Sequence, residues 1–195
     1  MEDTTPYGRD NLEDKIMEEQ NFLVNTKLPE NYSEEELKKF NKWIDLTLLE
    51  SKKLNKNSII IDKSDYSLYL IKKGEINSRY NIELGFSPYE DKQVEGDGRT
   101  PEGMYSITLK RDRGQTSFYR AFLIDYPNAE DKKKGKTGGL IEIHGAGSGE
   151  KGNGIGDNWT LGCAAMSNKD IDEIFSEIKE KDRVTIVRYT DRFKD

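Results

Sequence analysis

The chain has 195 residues, 33% of them hydrophobic and 35% charged, with a net charge of −6. That length fits one domain with an appendage or two small domains, and the apolar fraction is lean for a core but above that of disordered chains. The acidic, mixed-sign balance disfavours a broad basic surface for nucleic acid. No stretch approaches the ~20 apolar residues of a membrane span, and Met1 to Arg9 lacks the apolar core of a signal peptide.

Residues 1–57 are expected to be helical. Leu12, Ile16 and Leu23 are spaced for one helix face, with Met17 and Phe22 beside it. Pro29 separates this pattern from a second one. Ser33-Glu34-Glu35-Glu36 has the form of a capping box, in which the Ser33 hydroxyl accepts a backbone N–H and Glu36 reaches back. Leu37, Phe40, Ile44 and Leu48 then follow at helical spacing. The acidic run Glu34-Glu35-Glu36 marks a solvated helix face.

From Ser58 the period changes to two. Ser58 to Asp62 is a β-branched run, and Tyr66, Leu68 and Leu70 alternate with other residues up to a Lys73-Gly74 turn. Tyr80, Ile82 and Leu84 alternate again. Residues 86–103 are rich in Gly, Pro and Asp and are expected to be loop. Further strands are expected over Met104 to Lys110, Phe118 to Tyr126 and Leu140 to His144, with a charged loop from Asn128 to Gly138. Ser167 caps a helix whose buried stripe is Ile171, Ile174, Phe175 and Ile178, and Val184 to Val187 is a last strand. The composition divides the chain into a helical segment, 1–57, and a mainly β domain, 58–195.

Two phosphate-binding look-alikes are set aside. Gly147-Ser148-Gly149-Glu150-Lys151-Gly152 matches Gly-x-Gly-x-x-Gly, but Asn153-Gly154-Ile155-Gly156 continues the loop where a dinucleotide site needs a helix N-terminus. Gly135-Lys136-Thr137 has Glu130 where a phosphate-binding loop needs glycine. No metal site is expected, because the chain has one cysteine, Cys163, and one histidine, His144, and a zinc site takes three or four ligands. A lone cysteine also excludes an internal disulfide.

Those two residues carry the chemistry. A free cysteine is more often an inert buried thiol, and a histidine at a strand end more often a core residue. Here His144 ends an apolar run, and a loop with glycines at 145, 147, 149, 152, 154 and 156 leads to Trp159-Thr160-Leu161-Gly162-Cys163. In that setting Cys163 is a candidate nucleophile and His144 its general base. Gly162 permits an unusual backbone angle, and the N–H groups of Gly162 and Cys163 are expected to face a developing oxyanion. The helix starting near Ser167 is expected to lower the thiol pKa. Thr160 either makes a loop hydrogen bond or supports the active-site turn. Trp159 either lines a substrate groove or anchors the loop.

The spacing His144, fifteen residues, Thr160-x-Gly162-Cys163 resembles the active-site signature of the L,D-transpeptidases, the YkuD-like catalytic domain of bacterial cell-wall enzymes. Gly96-Asp97-Gly98-Arg99-Thr100-Pro101-Glu102-Gly103 is similar to that family's Gly-Asp-x-x-Thr-Pro-x-Gly turn, and Ile59 to Ile71 to its opening hairpin. The resemblance covers roughly residues 58–189 and implies a mixed β-sandwich with one helix after the nucleophile. It implies that Cys163 attacks the carbonyl of the third residue of a peptidoglycan stem peptide, a diamino acid, expelling the terminal D-residue, and that an amine or a wall-attached protein takes the acyl group. It also implies that the Gly145 carbonyl orients His144, that no cofactor is needed, that carbapenems acylate the thiol, and that the protein lies in the extracytoplasmic envelope. The alternatives are a hydrolase with the same first step, either an L,D-carboxypeptidase or an amidase, and a non-catalytic wall-binding domain. Leu161 and Ala165 stand where many family members carry His and Arg or Asn; neither replacement removes the nucleophile or base, but the missing polar side chain at 165 puts recognition of the stem peptide in question and is compatible with a hydrolytic branch.

Overall fold

The computed structural model describes residues 33–146 and 158–193. The expected helix around Leu12 to Leu23 and most of the glycine loop lie outside the described residues. Helix α1 (Glu34–Leu54) starts at Ser33, whose side chain accepts from Glu36 N. Strands β1 (Ser58–Asp62), β2 (Ser67–Lys72) and β3 (Glu75–Asn81) form an antiparallel meander. There follow β4 (Gly103–Arg111), β5 (Ala121–Ile124), a short helix α2 (Ala129–Lys133), β6 (Glu142–Gly145), β7 (Ala164–Met166), α3 (Asn168–Phe175) and β8 (Arg183–Val187).

The eight strands make one mixed sheet in the order β3-β2-β1-β8-β4-β5-β6-β7. The β1–β8 and β6–β7 pairs are parallel and the others antiparallel. The chain beyond β3 reaches the far edge of the sheet, where Glu83 bridges Ala165 and Gly85 bridges Thr160. These bridges bring the two ends of the sheet together, so it nearly closes on itself. The fold is thus mostly β, as expected.

The described residues form one compact unit. Phe40 and Ile44 of α1 pack with Ile60, Tyr69, Ile71 and Val187. The fully buried seam continues through Thr47 and Ser51, with Trp43 and the expected Leu48 packed partly buried against the cluster. Thr47 Oγ1 lies 2.6 Å from Thr185 Oγ1, and Ser51 Oγ donates to Lys56 O and accepts from Gly74 N. Small hydroxyls with internal partners can be buried at little cost, and a search for apolar periodicity passes over them.

Two elements differ from expectation. Part of the charged stretch 128–138 is α2, because Asn128 Oδ1 accepts from Glu130 N and Asp131 N while Asp131 Oδ2 accepts from Asn128 N. The expected strand 118–126 forms only over Ala121–Ile124, and the loop before it is recruited to the site.

Candidate active site

His144 and Cys163 arrive on neighbouring strands. Glu142 and His144 are two apart on β6 and therefore face the same side. The β6–β7 register pairs Ile143 with Ala164. Cys163 thus lies across from Glu142, on the side that His144 faces. Both residues line a groove of about 770 Å³ together with Phe118, Leu140, Trp159 and Leu161.

His144 is fully buried. Its Nδ1 lies 2.9 Å from Gly145 O. A carbonyl can only accept, so Nδ1 carries the proton and Nε2 keeps its lone pair. Nε2 has no hydrogen-bond partner among the described residues. Burial holds the imidazole down to about 4, with the Gly145 bond acting in the opposite direction. Phe118 stacks on one face of the ring (centroids 3.6 Å apart, 12° between planes), and Trp159 meets it edge-on at 5.7 Å.

Cys163 Sγ accepts from Glu142 N at 3.4 Å and donates to Leu140 O at 3.7 Å. The thiol is therefore engaged with the strand beside it rather than hydrogen-bonded to His144. Burial pushes it up to about 11. This overturns the expectation of a depressed thiol pKa. The three residues of β7 and the cap residue Ser167 separate Cys163 from the start of α3, and a helix dipole fades within about one turn. Alkylation of Cys163 by iodoacetamide is accordingly expected to go on accelerating from pH 8.5 to 10.5, as the thiolate fraction grows towards the raised pKa. A rate that levels off below pH 8.5 would show a preformed thiolate instead.

Gly162 sits at φ +129°, and a Cβ there would lie 2.5 Å from Arg99 O. The Gly96-to-Gly103 turn thus backs the nucleophile directly. It also packs on Gly85, where a Cβ would meet Gly98 O at 2.1 Å. Asp97 holds the turn by accepting from Lys92 Nζ and from the N–H groups of Gln93, Val94 and Arg99. Both obstacles are backbone and cannot swing away. Gly162→Ala is expected to destabilise the fold by about 3 kcal/mol, read as a lower denaturant midpoint, and an unchanged midpoint would contradict this packing.

Thr160 Oγ1 donates to Cys163 O at 2.8 Å and accepts from Gly162 N at 3.1 Å. The Gly162 N–H, expected to face the oxyanion, is therefore committed to Thr160. Trp159 Nε1 donates to the carboxylate of buried Glu83. Leu161 is 71% exposed at the groove, whereas Ala165 is fully buried in β7, paired with His144.

Sequence reasoning missed several neighbours. Glu142 was recoverable from its two-residue offset from His144. Phe118 and Arg111 come from distant strands and loops and had no local signal. The 112–120 loop that carries Phe118 is fastened by Asp172 of α3, which accepts from Arg113 Nη2 (3.0 Å), Tyr119 OH (2.9 Å) and Arg120 Nη1 (2.8 Å).

Comparison with known proteins bears on this arrangement. YafK of Escherichia coli (strain K12), whose name places it among the L,D-transpeptidases, is 38% identical over 84 residues, 43% of this chain and 30% of YafK. The helical cell shape determining protein Pgp2 from Campylobacter jejuni superposes with a TM-score of 0.54 at 29% identity, covering 73% of this chain and 54% of Pgp2. Bd1075 of Bdellovibrio bacteriovorus shares the fold, with a TM-score of 0.55 at 23% identity over 69% of this chain and 49% of Bd1075. The chain thus spans less than two thirds of each of these relatives. A family model described as the YkuD L,D-transpeptidase catalytic domain matches residues 56–186, from just before β1 into β8. With that match running through both the β6 histidine and the Gly-Cys turn, the chain belongs to the L,D-transpeptidase catalytic domain family.

Proposed function

We propose that this protein is a cysteine acyltransferase of peptidoglycan stem peptides, with Cys163 as nucleophile and His144 as general base. The observation that carries this is a buried imidazole whose Nε2 has no partner among the described residues, lining the same groove as the thiol that leads into the adjacent strand. In the free protein both groups are neutral. Binding of the peptide displaces the thiol from Leu140 O, and a side-chain rotation turns it towards His144, consistent with loose catalytic contacts in unliganded sites. The thiol proton passes to Nε2 as the S–C bond forms. The tetrahedral oxyanion is met by the Cys163 N–H, since Thr160 occupies that of Gly162. The C–N bond to the terminal D-residue breaks, and His144 returns the proton to the leaving amine. An amine or a water molecule then opens the thioester and regenerates the thiol. Gly145 and Thr160 are positioning residues in this scheme, Trp159 borders the substrate, and thiol, imidazole and backbone donors suffice without a cofactor.

Such a substrate places the protein in the extracytoplasmic envelope, and the likeness to Pgp2 supports a part in cell shape. No residue of 33–57 borders the groove, and we assign 1–57 an accessory role. The test is incubation with a stem tetrapeptide ending in D-alanine, with and without an added amine, followed by mass spectrometry. Release of D-alanine with capture of the amine establishes transfer, and release without capture establishes the hydrolase. An intact peptide that binds but is not cleaved makes the domain a wall-binding module and refutes the proposal.

A further inference from the structure

One ion pair at the groove is unused by this chemistry. Arg111, the last residue of β4, places Nη1 2.6 Å from Glu142 Oε1. The Glu142 side chain is 7% exposed and that of Arg111 30%. Of the two cations that line the groove, Lys92 is committed to Asp97 and Val94 O. Arg111 has no partner other than Glu142 among the described residues, so the rest of its fork is available to the groove. Glu142 also donates its backbone N–H to the nucleophile. The pair is therefore anchored on the strand that touches the nucleophile and lines the same groove.

A guanidinium and a carboxylate side by side match a ligand group that bears a carboxylate and an ammonium on one carbon. We propose that Arg111 and Glu142 form a receptor for an amino-acid zwitterion at the end of the substrate's third side chain, Arg111 taking its carboxylate and Glu142 its ammonium. This rests on the stem-peptide reading above. Both the pair and the thiol line one groove, so a side chain leaving the attacked residue can extend along it towards the pair. The guanidinium holds a carboxylate through paired N–H bonds, and discrimination comes from the penalty of leaving that fork unpaired when the ligand lacks the charge. Arg111 is thereby a specificity residue, while Glu142 joins the receptor to the nucleophile's strand.

The test compares two stem tetrapeptides with diaminopimelate as third residue, one with its side-chain carboxylate free and one with it as a carboxamide. The wild-type kcat/KM is expected to favour the free carboxylate by about tenfold or more. Arg111→Gln should bring that ratio to within about twofold, by a loss on the carboxylate peptide, and Arg111→Lys should keep part of it. Taking a ratio cancels any general effect of leaving Glu142 unpaired, and thermal melting verifies that both variants fold. A wild type that cleaves both peptides equally, or an Arg111→Gln protein that keeps the preference, overturns this inference alone. A wild type that cleaves neither refutes the stem-peptide reading and the receptor with it.

Discussion

Cys163→Ala is expected to release no terminal D-residue from a stem tetrapeptide and to give no mass increment with a carbapenem. Every covalent step of the proposed scheme passes through Sγ, and no second cysteine exists to replace it. The same substitution should leave the melting temperature within about 2 °C of wild type, because it deletes only two long sulfur contacts, to Glu142 N and Leu140 O, at a site open enough for water to replace them. The combination of outcomes is what matters. Turnover above the buffer rate in Cys163→Ala would remove the thiol from the mechanism. A large fall in melting temperature would show that Cys163 is a packing residue.

His144→Ala should lower kcat by about 10²- to 10⁴-fold while KM changes little, since a general base acts in the transition state. Carbapenem acylation of Cys163 should slow with it. A distinct readout comes from pH and stability. The imidazole is held to about 4 by burial, so between pH 6.5 and 4 the unfolded chain binds a proton that the folded protein refuses. Stability is therefore fully present above the unfolded value and is lost as pH falls through the folded one, by about 3 kcal/mol from this group. Denaturant midpoints of the wild type should fall through that window by that much more than those of His144→Ala. Parallel curves would mean that His144 titrates in the folded protein as it does in a peptide, and that its Nε2 is not the desolvated base described here.

Much of the fold was legible in local pattern. The Ser33 N-cap, the hairpin from Ser58 to Lys72 and the stripe of Ile171 and Ile174 each depend on neighbours within a few residues. The short helix after Asn128 was also legible, since Asn-x-x-Asp is a capping pair, but its charge density masked it. β7 had no such signal. Ala164-Ala165-Met166 has weak strand propensity, and it is extended because β6 pairs on one side and Glu83 bridges on the other.

The same division holds at the site. The presence of a single thiol and a single imidazole, and the glycine that must precede the thiol, are properties of the amino-acid sequence, because chemistry and backbone freedom are carried by residue identity. Their ionisation states and partners are decided by tertiary structure. Burial sets both pKa shifts, Phe118 reaches His144 from a loop fastened to α3, and Arg111 meets Glu142 across 31 residues of chain. Burial and long-range contact arise only when distant segments close around one another, and no local pattern records that closure.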